Sequence, residues 1–287
     1  MVGMKTHSEI SKAWSKDLKK GFFRKDTTTY ILRKLRYGPE VIRLYENWYS
    51  GLLDFFLYRI SPKDKHIIYR LRDGTKYKVR RNKWDFFIVN ETYVLKEYSD
   101  NAASLENASV VIDIGAHIGV FSVFIASKNP NAKVYSYEPF SENFELLKEN
   151  ITLNRLEGRI LPFKLAVASE RGKGKLFLNK ENPGCHSINE KYNEPSNSIA
   201  VNCITLKDIF ESNKIERCDF LKMDCEGVEY EILVSTPKEY LKKIRYMVVE
   251  VHQNVTNIQI LKKFLEDNGF RIKLKRTHLY AQNRASC

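Results

Sequence analysis

Long apolar runs are missing from this chain of 287 residues. The most apolar short stretch, GLLDFFLYRI from Gly51 to Ile60, contains Asp54 and is far too short to span a bilayer, so a core or partner-facing helix is expected there. Cysteine is scarce and unpaired in pattern. The five (Cys185, Cys203, Cys218, Cys225, Cys287) include no CxxC and are odd in number, which argues against a disulfide framework and for free thiols in a reducing compartment. The first residues show scattered charge without an apolar run followed by small residues, so no secretory signal is expected and the cytoplasm is the expected address. Internal repeats, low-complexity tracts and flexible linkers are also missing. Acid is in deficit: 48 Lys and Arg against 35 Asp and Glu leave a formal charge of +13, which permits contact with phosphate, an acidic glycan or an anionic membrane surface and chooses none of them. What remains, 43% hydrophobic and 29% charged, is the composition of a globular protein large enough for one α/β domain and an appendage.

The stretch VVIDIGAHIG, Val110 to Gly119, carries the strongest signal. An apolar run ends in an acid and two glycines, and FSVFIASK then resumes at helical spacing, which reads as buried strand, tight turn and helix. Gly115 is expected to let a bound molecule approach the main chain and Gly119 to let the helix pack on the sheet, while the helix start offers N–H groups to an anion. A dinucleotide fingerprint would want glycine at His117 and a small residue at Val120. The form DxGAxxG, with Ala116 in its middle, instead suits S-adenosylmethionine. Asp113 could then hold the ammonium of the methionine part, directly or through water, while the loop N–H groups meet its carboxylate. KVYSYEP places Glu138, followed by Pro139, at the end of the next strand, at about the spacing expected of a carboxylate that accepts ribose hydroxyls. His117 itself reads more readily as a loop-bonding residue than as a base.

Taken in order, residues 1–65 mix basic and aromatic positions and read as a helical extension, either packed on the main domain or apposed to an acceptor or membrane. Residues 66–108 read as a β-hairpin, with Asp73-Gly74 at its turn, and a lead-in, DFFIVNETYVLKEY, that enters as strand or helix. Residues 109–287 alternate strand and helix. VVIDI, KVYSYEP and RILPFKLAVAS are strands, GVFSVFIASK and SENFELLKENITLN (capped by Ser141) helices. An irregular stretch from Gly172 to Ile204 holds two short strand-like pieces and precedes the helix TLKDIFESN. DFLKMD and IRYMVVEVH are further strands, and a hairpin closes the chain. The expected fold is α/β: a Rossmann-like, seven-stranded sheet of the methyltransferase variety.

Ligands of such sheets sit beyond the carboxyl ends of the strands. DFLKMDCEGVE there supplies Lys222, Asp224, Glu226 and Glu229, and MVVEVH supplies Glu250 and His252. Lys222, Asp224 and Asp113 lie beside apolar positions, where an unpaired charge is costly, so they pair, bind metal or serve chemistry. Methyl transfer to a hydroxyl needs an aligned acceptor and a group to take its proton. His252 suits that role, with Asp224 or Glu226 as alternatives, either as base or as ligand of a divalent ion. An oxygen-rich set would favour Mg²⁺ over zinc.

On DIGAHIGVFS, YEP, TLKDI, LKMDCEGVEYEIL and VEVH the sequence resembles the FkbM family of S-adenosylmethionine-dependent methyltransferases, from about Tyr77 to His252. The resemblance implies O-methylation, often of sugar hydroxyls in glycans, glycolipids or glycosylated metabolites. It also implies cofactor roles for Asp113, Gly115 and Glu138, and places Lys222, Asp224, Glu226, Glu250 and His252 near the reaction centre. A peripheral enzyme at the inner membrane face, acting on a lipid-linked glycan, is one setting. An RNA methyltransferase is the rival, because the basic charge offers phosphate contacts. A cofactor-binding scaffold without catalysis is the third reading.

Overall fold

The computed structural model describes residues 42–50, 66–81, 85–95, 105, 107–179, 184–189, 196–251, 257–275 and 277–286, with the isolated Pro39. The expected N-terminal helices therefore lie almost wholly outside the described residues, and so does His252.

The hairpin forms as its sequence predicts. β1 (His66–Arg70) pairs antiparallel with β2 (Lys76–Arg80), and the turn closes on Gly74 at φ 89° with the Asp73 carboxylate accepting the Thr75 N–H. The lead-in resolves as a helix, α1 (Asp85–Asn90), continued by a π-helical turn over Glu91–Leu95. Hairpin and lead-in are not a separate body. Tyr69, Tyr77, Val79, Phe86 and Phe87 share one buried cluster with Val120, Phe121 and Leu147 of the main unit, and the Tyr77 hydroxyl donates to the Val120 carbonyl at 3.1 Å.

The main sheet is built from β3 (Val110–Ile114), β4 (Lys133–Tyr137), β5 (Ile160–Phe163), β9 (Cys218–Met223), β10 (Ile244–Glu250), β11 (Phe270–Lys275) and β12 (His278–Asn283). Their order is β11-β12-β10-β9-β3-β4-β5, with β12 antiparallel to both its neighbours. α2 (Val120–Lys128), α3 (Ser141–Leu153), α4 (Leu206–Ser212), α5 (Glu229–Ser235) and α7 (Ile258–Asp267) connect the strands, with the single turn α6 (Lys238–Leu241) before β10. The apolar strands read as continuous runs because both faces are covered, which is the usual state of a parallel sheet between helix layers. α4 begins with a complete capping box, Thr205 and Asp208 each bonding the other's main-chain N–H.

Three expectations are corrected. RILPFKLAVAS is two strands: β5 ends at Phe163, and β6 (Ala166–Val167) leaves to pair with β8 (Ser198–Ile204), which also pairs with β7 (Gly172–Phe177) in a three-stranded sheet. Pro162 fits this break, since β5 is an edge strand where a missing N–H is tolerated. Ser141 does not cap α3; Phe140 holds the cap position and Ser141 is the first helical residue. Gly119 makes room for a neighbouring helix and not for the sheet, and the chain itself also comes close at Gly115. A Cβ on Gly115 would stand 1.8 Å from the Asp224 carbonyl oxygen, and one on Gly119 would stand 2.4 Å from Leu147 Cδ1, a residue of α3 and not of the sheet.

These distances rank three substitutions by denaturant unfolding. Gly158→Ala, with φ 78° and open space, should cost only the left-handed penalty of about 1–2 kcal/mol. Gly119→Ala should cost more, because Leu147 must also shift. Gly115→Ala should cost most, because its obstacle is main chain.

Candidate active site

Strand register creates the centre of the site. Asp113 on β3 is paired with Ser136 on β4 and with Lys222 on β9, so three polar side chains share one face in the middle of an apolar sheet. α2 adds Ser122. The Ser122 hydroxyl donates to Asp113 Oδ2 at 2.6 Å and lies 2.7 Å from the Ser136 hydroxyl, while Lys222 Nζ lies 3.2 Å from Asp113 Oδ1. Asp113 is 0% exposed and Lys222 4%. Burial works against the ammonium charge, but the Asp113 and Asp224 carboxylates outweigh it and hold the lysine's pKa above its ordinary value. Lys222 Nζ also donates to the Gly115 carbonyl at 2.7 Å, so the buried ion pair grips the glycine loop from below. Asp113 does not line the cavity above that loop. Within the chain, the ammonium that its carboxylate meets is that of Lys222.

The cavity opens at the carboxyl ends of β3, β4, β9 and β10. Gly115, Ala116, His117, Glu138, Pro139, Lys222, Asp224, Glu226 and Glu250 all line it, so most of the residues picked from the sequence do meet in one place. Gly119 does not line it. The loop amides are occupied: Gly115 and Ala116 N–H both donate to the Tyr137 carbonyl at 3.0 Å, His117 N–H to Glu138 Oε2 at 2.9 Å, and Gly119 N–H to the Ala116 carbonyl at 2.8 Å. Four of the loop's main-chain N–H groups are thus held by the chain's own acceptors.

Glu138 is buried at the end of β4 and also takes the Phe140 N–H at 2.8 Å. Burial outweighs these donors and pushes its carboxyl up to about 7. Beyond β9 the loop turns sharply, with Glu226 at φ 57° and Gly227 at φ 100°. The buried Glu229 carboxylate organises that turn by accepting the Cys225 and Gly227 N–H groups at 2.9 and 3.1 Å. The irregular insertion clamps it from the other side, Ser187 Oγ donating to the Glu226 carbonyl at 2.6 Å and Asn189 Nδ2 to that of Gly227 at 3.1 Å. Asp224 keeps one oxygen 3.8 Å from Lys222. Glu250 ends β10 with His278 Nε2 3.7 Å away. Neither thiol nearby is activated: burial, then the neighbouring carboxylates, push Cys185 and Cys225 above the ordinary thiol value.

Sequence reasoning passed over several residues here. His186 lines the cavity with its Nδ1 taking the Asn179 N–H at 3.0 Å and its ring 4.3 Å from that of Phe140. Glu91, from the lead-in, lines it too. Arg80 and Asp85 form a buried pair against His117. An acid within the apolar run WDFFIVN was the available signal for Asp85. Among the described residues no three His, Cys, Asp or Glu side chains stand in a metal-holding group.

A seven-stranded sheet of this order, with a glycine loop after β3 and a buried acid ending β4, defines a class I methyltransferase. The family model for the methyltransferase FkbM domain matches residues 113–272, more than half of the chain, and the protein belongs to that family of S-adenosylmethionine-dependent methyltransferases. Similar proteins include methyltransferase sdnD of Sordaria araneosa, 26% identical over 214 residues (65% of this chain, 82% of that one). The 31-O-demethyl-FK506 methyltransferase FkbM of Streptomyces tacrolimicus is 23% identical over 223 residues (68% and 85%). The hexuronic acid methyltransferase AglP of Haloferax volcanii is 25% identical over 165 residues (56% and 63%).

Because the folded state raises the Glu138 pKa above its value in the unfolded chain, Glu138 favours the fold most while protonated, and that contribution is lost as pH rises through about 7. Thermal melts of the ligand-free protein between pH 5 and 8 should therefore show Glu138→Gln gaining stability relative to the unsubstituted protein as pH rises. A constant difference across that range would contradict the assignment.

Proposed function

We propose that the protein is an S-adenosylmethionine-dependent O-methyltransferase acting on a hydroxyl of a sugar, in a glycan, glycolipid or glycosylated metabolite. The observation that carries this reading is the meeting of Asp224, Glu226 and Glu250 with the cofactor loop in one cavity at the carboxyl ends of the strands. When bound, the cofactor supplies a methyl group on a sulfonium sulfur for in-line displacement.

The chain's residues divide the remaining work. Glu138 fits the ribose: it is a buried carboxylate on the cavity wall, already fixed by two main-chain N–H groups. Lys222 and Asp113 hold the loop beneath. Asp224, Glu226 and Glu250 would face the acceptor, orient its hydroxyls and take up the released proton, with His252 the further candidate for that base. Among the described residues the lining carries five acids (Glu91, Glu138, Asp224, Glu226, Glu250) against Lys222 as its sole lysine or arginine. In a chain of net charge +13 that is a local reversal, and it suits a cationic cofactor and a neutral hydroxyl acceptor better than a phosphate-bearing RNA. The AglP and FkbM relatives, with their hexuronic acid and 31-O-demethyl-FK506 names, support the sugar or small-molecule reading. No described helix is long and apolar enough to cross a membrane.

Three outcomes are expected. Ribose hydroxyls donate to ionised Glu138, so cofactor affinity should rise with pH up to about 7 and level off above it, weakening by up to about tenfold per unit below. Calorimetry on Glu138→Gln should show weaker binding without that dependence. Transfer of labelled methyl groups to a panel of neutral glycosides, uronates and RNA should favour the first. Asp224→Asn should slow turnover about a hundredfold while leaving cofactor affinity within a few fold, and equal loss of both would remove Asp224 from the chemistry.

A further inference from the structure

Arg80 and Asp85 precede the segment matched by the family model, which begins at residue 113, yet they reach the glycine loop. Arg80 Nη2 lies 3.1 Å from His117 Nε2. Arginine can only donate, so Nε2 must be the acceptor and the ring proton must sit on Nδ1. Arg80 is itself immobilised by a bidentate pair with Asp85, Nε to Oδ2 at 2.9 Å and Nη2 to Oδ1 at 2.8 Å, and its own main-chain N–H also donates to Oδ2 at 2.9 Å. The fork thus aims one fixed N–H at the histidine. All three side chains are buried.

His117 needs such a grip. Its φ of 52° lies in the left-handed region, sparsely used by residues with side chains, and its main-chain N–H is held from the opposite side by Glu138. A second link acts one residue on: Asn150 donates to the Ile118 carbonyl at 2.9 Å while exchanging two hydrogen bonds with the Lys78 main chain, at 2.6 and 3.1 Å. Strand β2 is thereby tied to two successive residues of the loop.

We propose that Arg80 and Asp85 are positioning residues of the cofactor site, fixing the His117 ring and with it the turn between Gly115 and Gly119. This rests on the reading of that loop as the S-adenosylmethionine site. The surroundings agree. Burial first, then Arg80, Lys222 and His186, push the His117 pKa down to about 3 against the pull of Asp85, so the ring is a neutral acceptor at working pH.

The test is a double-substitution cycle on the full chain, read by calorimetric titration with S-adenosylmethionine. Arg80→Met should weaken binding about tenfold, the scale of losing a charged hydrogen bond. His117→Gly accepts the left-handed turn without a ring, and adding Arg80→Met to it should cost less than about twofold more. An unchanged affinity in Arg80→Met, or the same loss in both backgrounds, overturns the proposal. A second measurement needs no variant. Nitrogen-15 NMR of the His117 ring should show a protonated Nδ1 and a bare Nε2 from pH 8 to pH 5, and a ring that titrates near its ordinary value overturns it as well. Failure of the unsubstituted protein to bind the cofactor would instead sink the reading of the loop, while the ring spectrum still decides whether Arg80 fixes His117.

Discussion

One buried ammonium sets the geometry of this protein's active end. Lys222 is placed by register beside Asp113, in an interior where neither charge could stand alone. Paired, they leave one Lys222 N–H direction for the Gly115 carbonyl, and that bond determines where the loop after β3 sits. The same point explains the glycine. The Asp224 carbonyl comes so close to Gly115 that no side chain fits between the end of β9 and the loop, and the Asp224 N–H returns a bond to Ile114 at 3.1 Å. The loop after β3 and the residues that end β9 are thus joined backbone to backbone.

Around that junction the chain gathers supports from distant segments. Glu138 holds the loop through His117 and its own following helix through Phe140. The insertion between β7 and β8 brings Ser187 and Asn189 onto the turn after β9, and hairpin strand β2 brings Arg80 and Asn150's partner Lys78 to the glycine loop. Segments that look peripheral in sequence are therefore structural parts of the cavity. Five of the acids, Glu91, Glu138, Asp224, Glu226 and Glu250, line the cavity wall of a chain whose net charge is +13.

Much of this was legible in the sequence because it obeys local rules. Alternating apolar runs and amphipathic stretches gave the βα order, Asp73-Gly74 the hairpin turn, and VVIDIGAHIG the site. Glu138, Asp224, Glu226 and Glu250 were legible because a charge at the end of an apolar strand points to the ligand edge of such a sheet. What stayed hidden depends on long-range placement. That Asp113 faces Lys222 and Ser122, and not the cavity, is a consequence of strand register and helix docking. The obstacle at Gly115 is an atom 109 residues away in the chain, and the role of Arg80 depends on a fold that brings β2 to the loop. Pro162 carried a local hint of the break after β5 that the apolar run concealed.

The measurement that bears most directly on the central claim is a pair of calorimetric titrations of the full-length, metal-free protein, one with S-adenosylmethionine and one with NAD. A loop held by Lys222 and faced by Glu138, without glycine at position 117, should give saturable one-site binding of S-adenosylmethionine and no heat with NAD. Binding of NAD in place of S-adenosylmethionine would contradict the account of the loop.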